Sequence, residues 1–166
     1  MAELLNPLTQ KELEERAPSI FTTEPSTKVT DKYSFIPTVQ VLEDLDKLGW
    51  EPYQASQRKS RKASDSLFTK HLIRFRNKSI GQLGDSLPEV VLTNSHDGRN
   101  SFSLHAGLFR LVCSNGLVIA DQTFEQVKIK HQWYNMTEIQ KVVNSMIEKI
   151  PSIVTNVNKM DQKALD

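Results

Sequence analysis

The stretch Phe68-Thr69-Lys70-His71-Leu72-Ile73-Arg74-Phe75-Arg76 alternates its side chains with a period of two. His71, Ile73 and Phe75 fall on one side of an extended chain, and Lys70, Arg74 and Arg76 on the other, with Leu72 interrupting the basic row. The pattern predicts a strand with one apolar and one cationic face, so the fold is built around a sheet. Immediately before it, residues 57–66 read QRKSRKASDS, too polar and basic for a core. They are expected to form the tip of a long hairpin or an open loop, entered from an extended segment that carries Trp50 and Tyr53.

Further toward the N-terminus, Thr38 after Pro37 is a plausible helix cap, and Val41, Leu42, Leu45 and Leu48 follow at helical spacing. Gly49 supplies the left-handed conformation that ends such a helix, which places a short amphipathic helix at 39–48. Residues 1–32 contain Pro7, Pro18 and Pro25, a charged run from Lys11 to Arg16 and a Ser/Thr-rich run from Thr22 to Thr30. They are read as a flexible or docking arm with room for one short helix near 9–16. The body is expected to span 33–157, with 158–166 as a tail.

Toward the C-terminus, Gly81, Gly84 and Pro88 punctuate a connection before the β-branched run Val90-Val91-Leu92-Thr93. Asp97-Gly98 marks a tight turn into Phe102, Leu104 and Ala106 at period two, which predicts a second hairpin. Residues 108–119 are nearly all apolar around Ser114-Asn115-Gly116; a strand pair with an Asn-Gly turn and a buried helix ending at Gly116 both satisfy this pattern, and extended structure is favoured. Val127, Ile129 and His131 alternate with Lys128 and Lys130, suggesting a further short strand with a second cationic face before Trp133-Tyr134. Thr137 and Gln140 form a Thr-x-x-Gln capping pattern, and Ile139, Val143, Met146, Ile150, Ile153 and Val157 then recur at four- and three-residue steps. A long C-terminal helix follows, kinked or restarted at Pro151. The expected fold class is α+β: an antiparallel sheet with a long basic hairpin, packed against a short N-terminal helix and a long C-terminal helix.

Composition excludes several function classes. The 166 residues are 38% hydrophobic and 25% charged, as in an ordinary globular domain. No run approaches the roughly 18–20 apolar residues of a spanning helix, and the first residues lack a secretory signal, so a cytoplasmic protein is expected. A single cysteine, Cys113, rules out an internal disulfide and a Cys-rich zinc site. It reads as a small buried hydrophobe. There is no Gly-x-x-x-x-Gly-Lys-Ser/Thr loop, no Gly-x-Gly-x-x-Gly and no Gly-x-Ser-x-Gly, which argues against nucleotide-hydrolysing, dinucleotide and hydrolase folds. His96-Asp97 sits beside the expected hairpin turn and His71, His105 and His131 lie on other segments, so no metal, cofactor or catalytic site is expected.

The overall charge of +1 hides an uneven distribution. Residues 57–78 carry 8 basic and 1 acidic group, against 5 basic and 10 acidic in residues 1–56. Single-stranded nucleic acid is held by basic side chains along its phosphates and aromatic faces under its bases. Arg58, Lys59, Arg61, Lys62, Lys70, Arg74 and Arg76, with Lys128, Lys130, Trp133 and Tyr134, are the candidate nucleic-acid-binding residues.

From Tyr33 onward the chain resembles a phage- and plasmid-borne family known as a numbered domain of unknown function (number 932). The resemblance rests on Tyr33-Ser34-Phe35-Ile36-Pro37-Thr38, Leu48-Gly49-Trp50-Glu51-Pro52, Phe68-Thr69-Lys70-His71, Asn94-Ser95-His96-Asp97-Gly98 and the stretch Ala106 to Leu117, and spans about residues 33–120. The order of elements also resembles single-strand annealing proteins of the Redβ and Erf type. That second resemblance implies an ATP-independent protein that binds single-stranded DNA in a basic groove, anneals it in phage or plasmid recombination, and assembles into a homo-oligomeric ring or filament. RNA is a second possible ligand, and the alternative reading is a protein-interaction or anti-defence factor of a mobile element that does not bind nucleic acid.

Overall fold

In a computed structural model of the chain, the alternation around Ile73 becomes the second strand of a five-stranded antiparallel sheet. The structure describes residues 6–26, 35–62, 65–77, 79, 86–98, 102–112, 117–129, and 137, 140–141, 143–145 and 148. The strands β1 (Trp50–Gln57), β2 (His71–Asn77), β3 (Ser86–Asn94), β4 (Phe102–Val112) and β5 (Leu117–Ile129) lie side by side in chain order. Each pairs with the next by an antiparallel ladder, as hairpin connections dictate. The helices α1 (Gln10–Arg16) and α2 (Thr38–Lys47) and a 3-10 turn at Pro18–Phe21 accompany the sheet, so the class is α+β.

One face of the sheet is the core. Trp50, Ala55, Ile73, Phe75, Val90, Leu92, Phe102, Leu104 and Ala106 are buried together, at the period-two positions expected from sequence. Against them pack Val41 and Leu45 of α2, whose exit is fixed by Gly49 at φ 90°. A side chain there would also crowd Asn77, since a Cβ would stand 3.3 Å from its Oδ1.

The N-terminal segment contributes to this core as well. Leu13 of α1, Ala17 and Ile20 are buried in the same cluster, at steps of four and three residues that present one helical stripe. Thr9 opens α1 with a reciprocal capping box to Glu12, and the Leu8 amide donates to the Pro52 carbonyl on the outer edge of β1. The short helix expected near 9–16 is α1, and the buried stripe is shared between it and the 3-10 turn.

On the C-terminal side the favoured extended reading holds over the described residues, and one expectation changes. Residues 108–112 and 117–119 are extended, in β4 and β5, and Val127 and Ile129, expected on a separate short strand, are the end of the long β5. Bulges in the β4–β5 ladder, at Ala106/Gly107 and Leu108/Phe109, let two long strands stay paired despite the sheet's twist. Thr137, Gln140, Lys141, Val143, Asn144, Ser145 and Glu148 are helical, and Val143 belongs to the core. The rest of the expected long helix, with Pro151, lies outside the described residues, as do Cys113 and the Asn115-Gly116 turn.

Candidate nucleic-acid interface

The basic residues that the sequence grouped on one strand and loop divide into two sets. Arg74 and Arg76 of β2 face Glu89 of β3, because the register sets Arg76 directly opposite Glu89 and Arg74 diagonal to it. Arg74 donates to Glu89 Oε2 from Nε at 2.9 Å and from Nη2, and to Gln54 of β1 from Nη1 at 2.6 Å. Arg76 donates from Nε to Glu89 Oε1 at 2.9 Å, and its guanidinium lies 5.1 Å from the centre of the Tyr53 ring. The side chains are 11%, 13% and 1% exposed for Arg74, Arg76 and Glu89. The expected cationic strand face is thus an internal ion-pair cluster, with both guanidinia committed to one buried carboxylate.

Arg58, Lys59, Arg61, Lys62 and Lys70 are arranged differently. They lie on the 58–70 connection between β1 and β2 and together line a cavity of about 650 Å³. Ser26, Ser60, Asp65, Phe68, Thr69, Asp97 and Gly98 complete its wall. Arg58, Lys59, Arg61 and Lys62 are exposed, and among the described residues of the lining five cations accompany two carboxylates. Such a concentration of one charge sign in a concave surface focuses the field on an anion.

The wall of this cavity is stitched to a buried polar cluster. The His96 amide donates to the Phe68 carbonyl at 3.0 Å, and the Ser26 amide donates to the His96 carbonyl at 2.8 Å, so one residue ties together three chain segments. Arg58 donates to the Lys70 carbonyl, extending the β1–β2 ladder one step into the connection. Gln57 closes the base: its Nε2 donates to the Ser66 carbonyl, and its Oε1 accepts from the Ser19 amide. Beneath lies His71, with Nδ1 2.8 Å from the Ser19 hydroxyl and Nε2 2.6 Å from the Thr38 hydroxyl.

The partners of His71 assign its tautomer. Asn94 Nδ2 donates to Thr38 Oγ1 at 3.0 Å and to the Ile36 carbonyl at 2.9 Å, which leaves the Thr38 proton free to point at Nε2. Nδ1 then carries the ring proton and donates toward Ser19 and the Thr69 carbonyl. Burial, with the neighbouring His96 ring 5.2 Å away, pushes the His71 pKa down to about 3, against a partial opposing pull from the Thr69 carbonyl. The imidazole is therefore neutral at neutral pH. Ser19, Thr38, His71 and Asn94 are sealed from solvent, so the cluster is a buried brace behind the cavity wall.

Sequence reading therefore found the cavity's cations but not its frame. Lys128 pairs with Ser103 in the β4–β5 ladder, whereas Lys130, Trp133 and Tyr134 lie outside the described residues. Trp50 is core. Ser26, Phe68, Thr69, Asp97 and Gly98 join the wall through contacts distant in sequence, and Gly98, at φ 77°, makes the turn that brings Asp97 there. The motifs Phe35–Thr38, Phe68–His71 and Asn94–Gly98, which carried the family resemblance, converge on this frame.

These features define an α+β protein with a braced, cationic cavity at one end of an antiparallel sheet. The chain belongs to the family described as a domain of unknown function (DUF932), whose model matches residues 26–166. The match reaches well beyond the 33–120 region that carried the resemblance. Among curated relatives, the chain is 34% identical over 158 residues to UPF0380 protein YafZ and likewise to UPF0380 protein YfjQ, both of Escherichia coli (strain K12). Each match covers 95% of this chain and 54% of the relative, so the chain spans about half the length of these proteins. No solved structure matches the chain. Among the described residues no helix is long and apolar enough to cross a membrane.

Proposed function

We propose that this chain is an ATP-independent nucleic-acid-binding protein whose ligand is single-stranded DNA, acting in strand annealing during phage or plasmid recombination. The observation that carries the reading is the gathering of Arg58, Lys59, Arg61, Lys62 and Lys70 around one cavity. Neutralising phosphates requires cations that are exposed and close together, and these five meet that requirement where Arg74 and Arg76 do not. In this reading β1, the 58–70 connection and β2 act as a long basic hairpin that delivers the charge. Phe68 offers a ring at the cavity wall for base contact. Assembly of copies into a homo-oligomeric ring or filament belongs to the same reading.

Fluorescence anisotropy with a labelled single-stranded oligonucleotide tests the proposal. Binding is expected at low salt, with a log-log salt slope that becomes shallower by about 0.7 for each phosphate contact removed. Replacing Arg58, Lys59, Arg61 and Lys62 together by alanine should abolish it. No binding at low ionic strength overturns the proposal and favours docking of an acidic protein on the same surface. Mass measurement with and without the oligonucleotide tests assembly.

A further inference from the structure

The cavity's size and wall bear on which part of a nucleic acid it takes. Modules that track a continuous single strand hold roughly 4–16 nucleotides in an extended groove. A volume of about 650 Å³ instead falls among pockets that enclose a small ligand, roughly 300–1,000 Å³. The wall is also mixed. Asp65 and Asp97 place carboxylates in the lining, so an anion is held where Arg58, Lys59, Arg61, Lys62 and Lys70 stand. On the side formed by the 94–98 turn and Ser26, backbone hydrogen bonds through His96 hold the wall in place and leave the cations' long side chains to adapt to the ligand.

Resting on the nucleic-acid reading above, we infer that the cavity binds a terminal phosphate, the phosphomonoester at the end of a single strand, with the terminal nucleotide beside Phe68. An internal phosphodiester carries one negative charge, whereas a phosphomonoester carries about 1.5 to 2 at neutral pH and presents one more oxygen to donors. Among the described residues, five cations around one small volume favour the more highly charged group, and they outnumber Asp65 and Asp97 by three. Lys and Arg both donate charge-assisted hydrogen bonds to phosphate, so no further group is required. The same chemistry is offered by a free nucleoside monophosphate, and the experiment separates the two sources.

The test compares one labelled oligonucleotide in four forms: 5′-phosphorylated, 3′-phosphorylated, with hydroxyls at both ends, and circularised. The full chain should bind at least one phosphorylated form about tenfold more tightly than the hydroxyl and circular forms, at matched salt. Phosphatase treatment should remove the preference. The double variant Arg61→Ala and Lys62→Ala, with folding verified by circular dichroism, should reduce the preference more than it reduces binding of the circle. Thymidine monophosphate competing at concentrations comparable to the oligonucleotide would assign the site to free nucleotides and overturn the strand-end source. Equal binding of all four forms overturns the terminal-phosphate inference while leaving single-strand binding intact. Binding of none of them overturns both.

Discussion

Arg74 and Arg76 lie a few residues along the same strand pair from Lys70, yet the two groups of cations have opposite fates. The first two are nearly buried and share one carboxylate, Glu89, which itself is almost inaccessible. The others stand around a cavity at the end of the sheet, where the connection leaves the ladder. Strand residues meet whatever the register places opposite them, and Glu89 is opposite. Connection residues have no cross-strand carboxylate opposite them among the described residues, and Arg58, Lys59, Arg61 and Lys62 are exposed. Positive charge in a sequence therefore counts toward a binding surface only after cross-strand partners have been subtracted.

The sharpest way to break this comparison is Glu89→Ala. Two guanidinia would be left in a nearly buried site without their shared acceptor, and stability should fall by about 3–5 kcal/mol, measured by urea denaturation. A loss below about 1 kcal/mol would mean that the strand arginines are as independent as surface ion pairs. His71→Asn, at the junction of the two regions, removes a ring bonded to hydroxyls from two other elements and should cost about 1–3 kcal/mol.

That variant also carries a pH signature. In the folded chain His71 titrates near 3, below its ordinary value of 6.5. Between these values the unfolded chain binds a proton that the folded chain refuses, so the stability His71 contributes is complete above about pH 6.5 and declines as the pH falls toward 3. The stability gap between the wild type and His71→Asn should therefore narrow as the pH is lowered from 7 to 4. A constant gap would show that His71 is open to solvent and protonation.

Smaller effects sharpen the contrast. Tyr53→Leu removes the ring beneath Arg76 and should cost about 0.5–1 kcal/mol at most, with binding unchanged. Replacing Arg58, Lys59, Arg61 and Lys62 by alanine should leave stability within about 0.5 kcal/mol of wild type, since these side chains are exposed, while oligonucleotide binding is lost. A large stability loss in that variant would assign the connection a structural role in place of the proposed one.

Much of the sheet was legible because its signals are local. The alternation of His71, Ile73 and Phe75, the run Val90 to Thr93, the Asp97-Gly98 turn and Gly49 each fix backbone geometry through a residue's own side chain. The core role of Leu13, Ala17 and Ile20 was less visible, since a stripe split between a helix and a 3-10 turn shows no sustained period. Its clearest mark was the pairing of Thr9 with Glu12 as a capping box. The site was legible in part: the five cavity cations lie close together in sequence, but Ser26, Asp97 and the His71 brace reach them only through folding.

Local signals in the sequence were enough to indicate an antiparallel sheet, to locate β2, β3 and α2, and to show that residues 57–78 hold 8 of the 21 basic residues against a single acidic one. Tertiary structure alone decided which of those charges are available, by setting Glu89 against Arg74 and Arg76. It also brought Ser19, Thr38, His71 and Asn94 into one hydrogen-bonded frame under the cavity. The physical reason is range. Backbone preference and side-chain alternation act within a few residues, whereas charge pairing and burial depend on register between segments that the sequence keeps apart.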